Sequence, residues 1–396
     1  MSPKRRLRSV RELAVDGRRV FVRVDFNAPL SDGAVSDDTR LRAALPTLQL
    51  LLDGGARLVL ASHLGRPKGE PDPRYSMAPV ATCLAGLLGR EVRLLDGPVT
   101  GLAEQLASVG DDEVALLENL RFDPGEKKGD ADHARALAGL ADLYVNDAFG
   151  TCHRAHSSVA VVPTHFEAPS AGLLIEKEID ALARVLDEPT RPMAAVLGGA
   201  KVSDKLGVLE NLVGRVDKLL IGGAMAYTCL RARGEEVGAS LVEADWVEKV
   251  GALLDGGPEL HLPSDHLVVR SIDAPNTAEV VAAGGFAADQ LGVDIGPATR
   301  AAFAEAVKDC GTILWNGPMG IFETPAYAEG TRAVAEAVAA SEAFSVVGGG
   351  DSLAALASLE LQDAVSHAST GGGAMLESLS GTELPGITPL FQDAKS

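Results

Sequence analysis

Aromatic residues are scarce in this chain, at 4% of 396 residues, so any core it builds is aliphatic. Cysteine is scarce too: Cys83, Cys152, Cys229 and Cys310 lie far apart with no C-x-x-C pair. That spacing predicts reduced thiols in a cytoplasmic protein, used as small buried apolar residues. Net positive charge is absent. A formal charge of -19 leaves no general field to attract polyanions, which argues against nucleic-acid and anionic-membrane partners. No apolar run approaches a membrane-spanning length, and the basic start Met1–Val10 has no hydrophobic stretch behind it, so no signal peptide is expected. No Gly-Lys pair exists to form a Walker A loop. A G-x-G-x-x-G read from Gly348 fails where Leu353 replaces the last glycine.

The sequence does contain 46% hydrophobic residues and 43 glycines, a globular composition of two-domain length. From Arg18 onward, strand-like segments 19–25, 57–62, 91–95, 113–118 and 142–147 alternate with helical stretches. An amphipathic helix follows over 171–187, bounded by Pro169 and Pro189. The alternation then restarts with 193–197, 218–221, 266–270, 312–315, 344–347 and 364–367, several of which end in glycine. This pattern predicts an α/β fold of two doubly wound, Rossmann-like parallel-sheet domains, with ligands at the strand carboxyl ends. The expected boundaries are residues 1–170, a hinge helix at 171–187, a second domain at 188–380 and a tail at 381–396 that packs back on the first domain. Pro46 is expected to mark the firm start of its helix, leaving 37–41 as a looser lead-in.

Phe344–Ser352 reads as a buried strand that breaks into Gly348, Gly349 and Gly350 and restarts as a helix, a turn suited to an anion. Asp351 there could cap the helix or hold a metal ion that bridges phosphates. In the first half, Asp25 and Asn27 share one face after the first strand. Arg40, His63, Arg66, Arg121 and Arg154 gather at or near strand ends. In so acidic a chain, repeated arginine forks suit a small, multiply anionic molecule. His153 and His156 lack further ligands at zinc spacing. Lys201 and Lys205, four apart after Gly198-Gly199, are expected on one helix face near phosphate, and Glu323 after Trp315–Gly320 suits a ribose hydroxyl.

Taken together, Arg23–Pro29, Ser62–Pro67, Leu117–Phe122, His153–His156, Gly198–Lys205, Trp315–Gly320, Gly348–Asp351 and Ser369–Gly373 resemble the blocks of the phosphoglycerate kinase family, in order and over essentially the whole chain. The resemblance implies reversible transfer between ATP and the carboxylate of 3-phosphoglycerate, giving 1,3-bisphosphoglycerate and ADP, in a cytoplasmic monomer. It implies that the 3-phosphoglycerate site comprises Asp25, Phe26, Asn27, Arg40, His63, Leu64, Gly65, Arg66, Arg121 and Arg154. Nucleotide contacts would come from Lys205, Gly292, Glu323, Gly349, Gly350, Asp351 and Ser352, with Mg²⁺ near Asp351. Arg40, Lys201 and the amides of Gly371, Gly372 and Gly373 would neutralise the moving phosphoryl group. Departures from the family pattern are small: Ser352 for threonine, Cys152 for alanine, and Ala374-Met375 after the last glycine turn. A Rossmann dehydrogenase would share the strand-glycine-helix units but lacks its fingerprint here; a two-lobed solute-binding protein would need export. Substrates on separate domains further imply closure about the hinge.

Overall fold

The computed structural model describes residues 5–393. It divides into two compact units: one runs to Ile179 and regains the chain from Glu383, and the other is Asp180–Thr382.

The first unit is built on a six-stranded sheet in the order Val92–Leu95, Val114–Leu117, Arg57–Ala61, Arg19–Val24, Leu143–Asp147, Ser170–Ala171. All its pairings are parallel. Such a sheet is covered on both faces, which is why its central strands read as unbroken apolar runs. On one face Val22, Val24, Leu60 and Leu116 pack with Leu41 and Leu48 of helix Thr39–Asp53 and with Val80 and Leu84 of helix Ala78–Leu88. Pro46 does not begin its helix but lies inside Thr39–Asp53. Two local contacts instead hold the helix's first turn: Asp37 accepts from Thr39 N at 2.9 Å, and Arg42 pairs with Asp38 at 2.8 Å. Burial of Leu41 and Ala44 holds the same turn.

The second unit's main sheet is also six-stranded and parallel: Glu259–His261, Lys218–Ile221, Met193–Leu197, Thr312–Asn316, Phe344–Gly348, His367–Ser369. In chain order this is 3-2-1-4-5-6, which places a topological switch between Met193–Leu197 and Thr312–Asn316. The segment expected at 266–270 is not part of this sheet. It forms Asp265–Val269, the centre of a separate antiparallel sheet with Glu279–Ala282 and Leu291–Ile295. Its place is taken by the three-residue strand Glu259–His261, too short to show a period. The last strand starts at His367 rather than 364, because Ser345 and Ser366 exchange backbone-to-hydroxyl bonds of 3.1 and 3.0 Å just before it.

Helix Leu173–Leu186 leaves the first unit and enters the second. Its opening N–H groups are met by Thr47 Oγ1, which accepts from Leu173 N at 2.8 Å, and by Asp147 Oδ1, which accepts from Leu174 N at 2.9 Å. From Glu383 the chain buries Leu384, Ile387 and Leu390, and Gly386 N donates to Cys152 O at 2.9 Å. Phe391–Asp393 then pairs antiparallel with Arg5–Leu7. The four cysteines are free thiols, three of them buried.

Candidate active site

In the first unit the carboxyl ends of four neighbouring strands carry the polar residues. Arg23 is fully buried on Arg19–Val24, where its Nε donates to Ser158 Oγ at 2.9 Å and its Nη2 lies 3.4 Å from His63 Nδ1. Arg40 pairs with Asp25 Oδ2, while Asp25 Oδ1 is buried with no hydrogen-bond partner among the described residues. Asn27 Oδ1 accepts from Gly65 N at 2.8 Å, which ties the first strand-end loop to the second. Arg121 is 5% exposed and donates through Nη1 to Gly65 O at 2.7 Å. Arg66 and Arg154 are exposed beside it in sequence-distant loops.

His63 reports the field of this cluster. Burial pushes its imidazole well below the ordinary value, and Arg23, Arg121, Arg154 and Arg40 push it further. One neutral histidine therefore stands within electrostatic reach of four guanidinium groups. Arg121 is itself lowered to about 10, first by burial and then by Arg154 and Arg23. Cations crowded this way destabilise one another until a multiply charged anion lies among them. Phe26 and Leu64 are buried, with amides committed to Ser62 Oγ at 2.9 Å and Asn119 Oδ1 at 3.2 Å. Sequence reasoning gave no role to Asn119 or Arg23. Asn119 is buried, accepts from Arg121 N at 3.1 Å and donates to Leu64 O at 2.7 Å, so it sets both arginine-bearing turns. The visible signal for Arg23 is a lone charge inside Val-Phe-Val-Arg-Val.

In the second unit a cavity of about 330 Å³ opens at the switch point, lined among others by Gly199, Tyr227, Gly292, Met319, Glu323 and Asp351. Its backbone walls touch: a Cβ on Gly198 would lie 2.1 Å from Pro318 O, so no side chain fits there. A Cβ on Gly292 would lie 1.7 Å from the Tyr227 hydroxyl, which explains glycine on that strand. The antiparallel sheet supplies Leu291–Asp294 to this wall, a contribution that the strand alternation did not reveal.

Gly349, at φ 96°, lets the chain turn into helix Gly350–Ser358, with Asp351 exposed in its first turn. Ser352 is buried and accepts from Gly317 N at 2.7 Å. Lys205 is nearly buried and donates to Asn316 Oδ1; burial lowers its ammonium to about 8, although Asp204 and Asp351 oppose the shift. Lys201 does not share a helix face with it. Lys201 is exposed in the loop, Ser203–Lys205 is a short 3-10 turn, and the α-helix begins only at Leu206, so the expected four-residue helical spacing does not exist. Gly371 N donates to Ser369 Oγ at 3.2 Å, and Gly372, at φ 51°, leads into helix Gly373–Leu379.

No cluster of three or more His, Cys, Asp or Glu able to hold a metal by themselves occurs among the described residues. Asp351, an exposed carboxylate on the cavity wall, fits the one or two protein carboxylates typical of Mg²⁺ that is carried in on substrate phosphates. No helix among the described residues is long and apolar enough to cross a membrane.

An arginine cluster on one α/β unit and a glycine-walled cavity at the switch point of another are the equipment of a phosphotransferase that works by positioning and charge neutralisation. A family model described as phosphoglycerate kinase matches residues 10–382. The phosphoglycerate kinase of Thermomicrobium roseum is 51% identical over 393 residues, covering 98% of this chain and 100% of its own. That of Rubrobacter xylanophilus is 53% identical over 387 residues, covering 97% and 98%. The solved phosphoglycerate kinase structure from Coxiella burnetii superposes with a TM-score of 0.89 at 39% identity, covering 97% of this chain and 99% of that one. The chain belongs to the phosphoglycerate kinase family. Its reaction is the glycolytic phosphoryl transfer between ATP and the carboxylate of 3-phosphoglycerate.

Proposed function

We propose that the first unit binds 3-phosphoglycerate and the second binds ATP or ADP. The observation that carries this reading is the gathering of Arg23, Arg40 and Arg121 with His63 and Asp25 at the strand ends, a concentration of positive charge suited to a compact polyanion. Arg40, Arg66, Arg121 and Arg154 hold the phosphate and carboxylate, Asp25 accepts from the substrate hydroxyl, and Asn27, His63 and Gly65 complete the pocket. Phe26 and Leu64 act through their backbones, which fix the turns. In the second unit Gly292 and Glu323 face base and ribose, while Lys205 and the turn Gly349–Ser352 face the phosphates. Bound Mg²⁺, taken at Asp351, would neutralise charge on the phosphate oxygens.

A substrate carboxylate oxygen forms a bond to the γ-phosphorus as the bond to the β–γ bridging oxygen breaks. Both oxygens are anionic near neutral pH, so no proton moves and no general base is needed. Arg40, Lys201 and the amides of Gly371–Gly373 neutralise the transferring group. In-line transfer needs reacting atoms within roughly 3–3.5 Å, so closure about Leu173–Leu186 belongs to the cycle. We take the protein to be a cytoplasmic monomer without nucleic-acid partners, in keeping with its charge of -19. A coupled assay of ATP- and Mg²⁺-dependent 3-phosphoglycerate phosphorylation, with Arg66→Ala and Glu323→Ala compared for separate losses of the two substrates, tests the assignment. Loss of nucleotide affinity in Arg66→Ala would overturn it.

A further inference from the structure

Glu126 lies in the short helix Pro124–Lys128, is fully buried, and makes no direct ion pair with an arginine or lysine among the described residues. The ionisable group nearest it is His156, whose Nδ1 lies 3.8 Å from Glu126 Oε1. Burial, and then Arg121 and Arg154, lower that imidazole to about 4, so it is neutral near neutral pH. A desolvated carboxylate without a direct counter-charge is costly unless hydrogen bonds answer it at one remove. Both of its bonds go to one residue: Glu126 Oε1 accepts from Ser158 Oγ at 2.6 Å, and Oε2 accepts from Ser158 N at 3.0 Å. Ser158 is itself buried, and its carbonyl accepts from the Tyr144 hydroxyl at 2.9 Å.

Donor and acceptor roles are then forced one after another. The single hydroxyl proton of Ser158 goes to Glu126, which leaves Ser158 Oγ only lone pairs for its other neighbour. That neighbour is Arg23 Nε, which donates to it at 2.9 Å. A guanidinium is planar, so fixing Nε also fixes Nη1, which donates to Val24 O, and Nη2, which faces His63 Nδ1 at 3.4 Å. His63 is held neutral and has one ring proton. A guanidinium cannot accept, so Nδ1 carries the lone pair and the proton sits on Nε2. The other candidate partner for an Nδ1 proton, Asp25 Oδ1, is 3.9 Å away and out of hydrogen-bond range. We propose that Glu126 is a positioning residue: through Ser158 and Arg23 it holds His63 in the tautomer that donates from Nε2. A neutral histidine that offers a proton attracts an anionic oxygen, whereas one that offers a lone pair repels it. The consequence for 3-phosphoglycerate binding rests on the substrate site proposed above; the tautomer does not.

Long-range proton–nitrogen NMR correlation spectra of the full chain with isotope-labelled histidine read both ring nitrogens of His63 directly, and His63→Gln assigns the signal. The expected parent pattern is a protonated Nε2 and an unprotonated Nδ1. Ser158→Ala removes one oxygen and breaks the relay. It should give a mixture of tautomers and raise the KM for 3-phosphoglycerate about fivefold, the scale of one hydrogen bond, while kcat and the KM for ATP stay near the parent's. Glu126→Gln should do the same, and Ser158→Ala carries the test alone if that variant does not fold. Ser158→Thr, which keeps the hydroxyl, should retain the parent spectrum and KM. A parent His63 protonated on Nδ1, or a pure Nε2–H tautomer that persists in Ser158→Ala, would overturn the relay. A shifted tautomer with an unchanged KM for 3-phosphoglycerate would overturn its bearing on binding. Failure of the substrate assignment itself would show separately, as an unchanged KM for 3-phosphoglycerate in Arg66→Ala.

Discussion

Lys205 keeps its ammonium where burial disfavours it, with Asn316 as its hydrogen-bond partner and a value lowered to about 8. The kcat/KM for ATP reports ionisations of the free enzyme, so it should fall as pH rises through about 8 while Lys205 loses its charge. A pH profile that stays flat to about 9.5 in the parent would contradict this role. Arg40 is bound to Asp25, whose other oxygen is already unpartnered, so Arg40→Ala disturbs more than one charge. Arg40→Ala and Lys201→Ala should each lower kcat by about a hundredfold or more, the scale of one lost charge-stabilising contact, with nucleotide affinity nearly unchanged. Steady-state kinetics that show only a raised substrate KM would remove both from the transfer step. At this scale the sequence identified residue types well, because arginines beside glycine turns stand out in an acidic chain. It misread Lys201 and Lys205, because four-residue spacing places side chains together only inside an α-helix, and here the helix starts after both.

Among the elements, helix Leu173–Leu186 depends on a carboxyl group that its own sequence does not contain. Asp147, at the end of strand Leu143–Asp147, is fully buried, accepts from Leu174 N and is raised to about 7 by burial, which outweighs the helix N–H groups that lower it. An unfolded aspartate titrates near 4, so below that pH both states hold the proton. Between about 4 and about 7 only the folded chain keeps it, and stability falls as pH rises through that window, then levels off. Asp294 in the second unit, also raised to about 7, has the same sign. Asp147→Asn keeps the Oδ1 acceptor and removes the titration. Its urea midpoint should therefore vary less between about pH 4.5 and 7 than the parent's, and equal slopes would exclude Asp147 as a source. Asn119 bridges elements likewise: Asn119→Ala should destabilise by about 1–3 kcal/mol through unpaired buried groups and raise the KM for 3-phosphoglycerate. Long central strands were readable because burial on both faces makes them continuous apolar runs. Ser170–Ala171 and Glu259–His261 were not, since two or three residues carry no period.

At the level of the whole molecule, the chain's last segment is part of its first unit. Removing residues 383–396 should expose the environment of Leu384, Ile387 and Leu390, at about 1.5–3 kcal/mol for each fully buried side chain. The expected result is a lower urea midpoint for the first unit, and an unchanged midpoint would show that the strand pairing contributes nothing measurable. Small-angle scattering should register a smaller radius of gyration with both substrates bound than with either alone. The sequence by itself determined the α/β class, the two sheets and the arginine- and glycine-bearing turns, because parallel strands advertise themselves by local apolar runs and glycine by its backbone freedom. Only the tertiary structure decided that His63 is held neutral among arginines, that Asn119 spans two turns, that an antiparallel sheet walls the second unit's cavity and that Pro46 lies inside its helix. Each of these depends on burial and on contacts between residues distant in the chain, and no local period encodes a desolvated charge or a hydrogen bond across 55 positions.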